Sequence, residues 1–130
     1  MYEALQHGMQ LPGATSTEIA TCEQRLGIAF PDDFKAFLQH SNGFNDALGE
    51  GYLVIWSADE LAAAEGYEIF AFTPERFLFG SNAGPTAYAY IDGAYCSIPF
   101  VAAGPWQSEM RALSDTFSGF LTAIAAGEGY

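Results

Sequence analysis

The stretch RLGIAFPDDFKAFLQHSNGF, Arg25 to Phe44, constrains the fold more than any other part of the sequence, because it sets a helix stop, a connector, a helix start and a second stop in immediate succession. Gly27 stands where a helix wants a left-handed C-cap, directly after Leu26. Pro31 suits the first position of the next helix, where its missing N–H costs nothing, and it biases Phe30 toward extended backbone. Asp32 and Asp33 fall in the first turn, where the helix dipole favours negative charge, with Lys35 one turn in and His40 near the far end. Phe34, Phe37 and Leu38 share one face, and Asn42-Gly43 ends the helix with two residues that tolerate left-handed backbone. Two short helices with apolar faces are therefore predicted before anything else.

On either side the signals continue. Thr15 and Glu18 are spaced as a capping box, and Ile19, Cys22 and Leu26 recur at i, i+3, i+7, so the first helix starts there after a lead over residues 1–13. Beyond Gly43 the texture changes to strand: Tyr52 to Trp56 is a β-rich apolar run, and Ser57 with Glu60 is a second capping box opening a short helix that stops at Gly66. Phe77 to Phe79 is another strand. GSNAGP makes a turn before TAYAYI, and Asp92-Gly93 pairs that strand with AYCSIPFV through a type I′ turn. Ser114 is placed to cap a last helix carrying Phe117, Phe120, Leu121 and Ile124 on one face. This order predicts a single α+β domain over residues 1–130: a mainly antiparallel sheet of about five or six strands, two N-terminal helices, a short middle helix and a C-terminal helix.

Composition supports a packed core and narrows the partners. Half of the 130 residues are apolar, including 11 Phe, 7 Tyr and 2 Trp, which excludes disorder from low hydrophobicity. Sixteen acids face only Arg25, Lys35, Arg76 and Arg111, for a net charge of −12. Nucleic acid and anionic membranes call for cationic footprints, so a basic protein partner is favoured over both. Cys22 and Cys96 stand in apolar surroundings without metal-ligand spacing, as expected of reduced, buried thiols. The start MYEALQHGMQ is neither basic nor followed by an apolar core segment, and no run approaches the ~20 apolar residues of a membrane span, so no targeting segment is expected and the expected location is the cytoplasm.

A search for chemistry finds no nucleophile beside a base. His7 stands in the lead, His40 at a helix end among free carbonyls, and GSNAG lacks the lysine of a phosphate-cradling loop. Asp32 and Asp33 point roughly 100° apart on a helix, unlike paired metal carboxylates. No catalytic, metal or cofactor site is expected; an aromatic ligand pocket around Tyr88, Tyr90 and Trp106 is the weaker alternative. What remains is a surface. Asp46, Glu50, Asp59, Glu60, Glu65 and Glu68 crowd a span that contains no Lys or Arg and that brackets Trp56. Such a span steers a cationic partner, for which Trp56, Tyr52 or Trp106 supplies an aromatic anchor.

TSTEIATCEQRLGIAFPDDFKAFLQHSNG, FLFGSNAGPTAYAYI and DTFSGFL, taken together, resemble the SUKH superfamily: a capped helix ending in Leu-Gly, an apolar link to Pro, a second helix with a terminal Asn-Gly, a strand with a glycine turn, and a closing Phe-x-x-Phe-Leu helix. The resemblance implies an α+β fold with a mixed or antiparallel sheet wrapped by helices and no enzymatic activity. It also implies the work of its bacterial members, immunity proteins that neutralise a cognate toxin, often a nuclease; fungal relatives are cell-wall synthesis regulators and interaction hubs. Leu26, Gly27, Pro31, Phe37, Leu38, Asn42, Gly43, Gly80, Phe117, Phe120 and Leu121 match the motifs and are scaffold residues. The sequence departs from commoner versions between Gly43 and Phe77 and at Ala83 and Pro85, where further glycines are frequent. The expected function is non-enzymatic neutralisation of a cationic toxin, with a regulatory or scaffolding module for an endogenous partner as the alternative.

Overall fold

The computed structural model describes residues 13–62, 76–84, 86–100 and 109–128. Helix α1 spans Ser16–Leu26, with Thr15 as N-cap. The capping box is closed in both directions, Glu18 N–H donating to Thr15 Oγ1 at 3.1 Å and Thr15 N–H to Glu18 Oε1 at 3.0 Å. Gly27 takes the left-handed C-cap at φ 68. Ile19, Cys22 and Leu26 are buried, as their spacing requires.

Helix α2 spans Asp32–His40, one residue later than the sequence suggests, because Pro31 serves as N-cap and not as the first helical residue. Its end differs too. The chain leaves the helix through Ser41 in extended conformation, and Asn42-Gly43 does other work. Asn42 Oδ1 accepts the Ala58 N–H at 2.8 Å, satisfying one of the free donors at the start of helix α3, Ala58–Ala62. Gly43 sits at φ 106, and a Cβ there would stand 2.9 Å from the Ile55 carbonyl. The Asn-Gly pair thus ties the end of α2 to the start of α3.

Six strands, β1 (Phe44–Leu48), β2 (Gly51–Ile55), β3 (Arg76–Ser81), β4 (Thr86–Ile91), β5 (Ala94–Pro99) and β6 (Arg111–Ser114), form one sheet in chain order. Every neighbour is antiparallel. The β4–β5 turn is the foreseen Asp92-Gly93, both at positive φ (50 and 93). Gly80 lies where β3 is bulged against β4 and pressed on β2: a Cβ there would come within 2.1 Å of the Val54 carbonyl. The closing helix α4 spans Phe117–Ala125. Its cap is Thr116, which accepts from Gly119 N–H at 3.1 Å, while Ser114 accepts the Thr116 N–H one step earlier.

The helices bury their aromatic faces on one side of the sheet. Phe34 of α2 meets Phe79 of β3 at 5.3 Å between ring centroids and Phe117 of α4 at 5.6 Å. Phe79 in turn meets Phe120 edge-on at 5.2 Å and Tyr95 at 5.7 Å. Such tilted and edge-to-face pairs contribute about 0.5–1.5 kcal/mol each beyond the area they bury. One carboxylate fastens this junction. Asp33 accepts the Tyr95 hydroxyl at 2.5 Å through one oxygen and the Phe117 N–H at 2.7 Å through the other. The helix dipole explains an acid at this end of α2, but Asp33 also joins α2 to β5 and to the first turn of α4.

Candidate functional site

The acidic span resolves into two places. Asp46 and Glu50 lie on the β1–β2 hairpin; Asp59 and Glu60 lie on α3. Glu65, Glu68 and Trp106 fall outside the described residues, as does the helix stop at Gly66.

The hairpin closes through Gly49-Glu50, with Leu48 opposite Gly51 and Asn45 opposite Val54. Its tip rests on the end of α4: Glu50 N–H donates to the Ala125 carbonyl at 2.8 Å. A Cβ at Gly127 would stand 3.5 Å from Glu50 Oε2, and exposed Glu128 follows directly. The Glu50 carboxylate thus sits near the negative pole of a helix with no basic residue in its last turn, where the dipole repels it. Asp46 is half-buried and accepts the Ala47 N–H at 2.7 Å.

Alternation along the hairpin gives it two faces. Phe44, Leu48, Leu53 and Ile55 are buried on the core side. Asn45, Ala47, Tyr52 and Val54 look the other way, three exposed and Val54 half-buried. Tyr52, 36% exposed, is the exposed large hydrophobic residue among those described, and its hydroxyl donates to Asn45 Oδ1 at 2.6 Å. Trp56, in contrast, is only 8% exposed and belongs to the core; its N–H donates to the Phe79 carbonyl, which carries the β2–β3 pairing one residue past Ile55. The aromatic that this segment offers to solvent is Tyr52, not Trp56.

On α3, the foreseen capping box uses the Glu60 carboxylate, which accepts the Ser57 N–H at 3.0 Å while Ser57 Oγ accepts from Glu60 N–H. Asp59 is exposed and lines a groove of about 170 Å³ with Thr17, Glu18, Thr21, Cys22 and Arg25 of α1. Cys22 is buried at its floor, and burial, with Glu23 adding, raises its thiol to about 11; burial likewise lifts Cys96 to about 11. Both are proton-bearing, weakly nucleophilic thiols at neutral pH.

Tyr88 is fully buried against Phe120 at 5.2 Å, so it is a core residue and not the wall of an aromatic pocket. Among the described residues, no three of His, Cys, Asp and Glu are grouped as a metal ion would need, and no helix is long and apolar enough to cross a membrane. Of the motif residues, Leu26, Phe37, Leu38, Phe117, Phe120 and Leu121 are all buried. Gly27, Pro31, Asn42, Gly43 and Gly80 hold the turns and close approaches described above. Asp33 as a junction and the seat of Glu50 on the end of α4 are not legible in the sequence; the periodicity of α4 locates its end but not what packs there.

Residues 13–123 match the SMI1 / KNR4 family (SUKH-1). No curated protein matches the chain.

Proposed function

Because this chain belongs to the SMI1 / KNR4 (SUKH-1) family, whose members are immunity and regulatory protein-interaction modules, we propose that it is an immunity protein that neutralises a cationic, nuclease-type toxin domain by stoichiometric binding. The observation that carries the toxin reading is charge: a net of −12 with no Lys or Arg between Lys35 and Arg76, on exposed positions that include Glu50, Asp59 and Glu60. A nuclease holds a polyanion, so its groove is cationic, and carboxylates presented there compete with phosphates. Binding alone then supplies protection, and no group on this chain has to react.

The test is a survey of the neighbouring genes for a large toxin, and co-expression of its toxic domain with this chain, scored by growth. Rescue that persists in one-to-one complexes supports neutralisation. Absence of any toxic neighbour, or toxicity undiminished by this chain, favours the regulatory alternative, in which the same module binds an endogenous partner.

A further inference from the structure

We infer that the partner docks on the outward face of the β1–β2 hairpin, with Tyr52 as its anchor and the Glu50 tip as its electrostatic guide, and that the occupant is a basic protein surface. This rests on the proposed binding function and specifies where it is carried out.

One row of residues crosses the sheet side by side: Asn45, Val54, Ser81, Ala87 and Ile98, each opposite the next in register. Burial rises along it, from exposed Asn45 through half-buried Val54 to Ser81 at 8%, Ala87 at 0% and Ile98 at 1%. The sheet face that is covered at β4 and β5 therefore runs on uncovered at β1 and β2. There it carries an aromatic residue held in place, since the Tyr52 hydroxyl is tied across the hairpin to Asn45. A pre-ordered tyrosine at the centre of a small apolar face gives contact area at low entropic cost, the property of interface hot spots.

Charge complementarity fixes the occupant. Glu50 stands at the end of α4 against the helix dipole, and among the described residues it has no ion-pair partner. A lysine or arginine from outside relieves it. The rival site, the α1–α3 groove, contains Arg25 beside Glu18 and Asp59, and this cation weakens its pull on a basic ligand. Docking uses the face and not strand addition at the β1 edge, because the Ala47 N–H is already taken by Asp46.

The experiment measures binding of the purified toxin domain to the full chain and to three variants, Tyr52→Ala, Glu50→Lys and the double variant Thr17→Gln/Thr21→Gln, which fills the α1–α3 groove without changing its charge, each checked by thermal melting. The expected result is a Kd weakened at least about tenfold by Tyr52→Ala and association slowed about three- to tenfold at low salt by Glu50→Lys. The groove variant binds as the parent does. Loss of binding in the groove variant, with Tyr52→Ala unaffected, overturns the docking site while leaving the proposed function intact. No binding by the parent chain overturns the function itself.

Discussion

Two hairpins of this sheet have the same local design and opposite fates. Both β1–β2 and β4–β5 join antiparallel strands through two-residue turns that use positive φ, at Gly49 in one and at Asp92-Gly93 in the other. In β4–β5 both faces are buried: Tyr88 and Tyr95 on the aromatic side, Ala87, Ala89, Cys96 and Ile98 on the other. In β1–β2 only the core side is buried, and the outer side presents Asn45, Ala47 and Tyr52. Turn chemistry makes a hairpin; position in the sheet decides whether its side chains hold the fold or meet a partner. Tyrosines at Tyr52 and Tyr95 are chemically identical and do different jobs for that reason.

The sharpest way to break this comparison is to truncate both tyrosines. Tyr95→Ala removes a ring touching Phe79, Tyr90, Phe117 and Phe120 and is expected to cost about 3–5 kcal/mol in urea unfolding, whereas Tyr52→Ala costs about 1 kcal/mol or less. Equal losses would show that the outer hairpin face is structural. Next in size is Asp33→Asn, which presents an amide donor to either the Tyr95 hydroxyl or the Phe117 N–H. We expect about 1–3 kcal/mol, measured the same way.

A pH titration probes the buried side of the comparison through its thiols. Cys22 and Cys96 hold their protons up to about pH 11 in the fold, against a reference value of 9.0. Between these pH values the unfolded chain binds fewer protons than the native one, so stability falls as pH rises from about 9 toward 11. The double variant Cys22→Ala/Cys96→Ala flattens that decline; an unchanged slope would assign it elsewhere. The smallest effect is a gain. Ala83 adopts φ 65 in the turn between β3 and β4, a conformation that glycine adopts without the Cβ clash. Ala83→Gly should stabilise by up to about 1 kcal/mol, read as a raised melting temperature.

Much of the frame was legible because its signals are local. Thr15 with Glu18, Ser57 with Glu60, Gly27 and Asp92-Gly93 each specify a conformation from a few adjacent residues, and each forms as read. What escaped depends on partners distant in sequence. Asn42 has its acceptor role because α3 starts beside it, and Asp33 because β5 and the first turn of α4 converge on it. Strand β1 was hidden for another reason: FNDAL carries only Phe44 and Leu48 as large apolar residues, at the two ends of the strand. The acidic span read as one continuous field, yet the fold sends Glu50 to the end of α4 and Asp59 to the flank of α1. Trp56, the most conspicuous aromatic of that span, is buried where its backbone continues the pairing with β3, leaving Tyr52 outside.

The docking surface is tested most directly by the footprint of the toxin domain on the isotope-labelled full chain, read as backbone amide shifts at increasing salt. The account predicts perturbations centred on Asn45, Ala47, Glu50, Tyr52 and Val54 that weaken as salt screens the tip. A footprint centred on Thr17, Glu18, Thr21 and Asp59, with the hairpin silent, would contradict it.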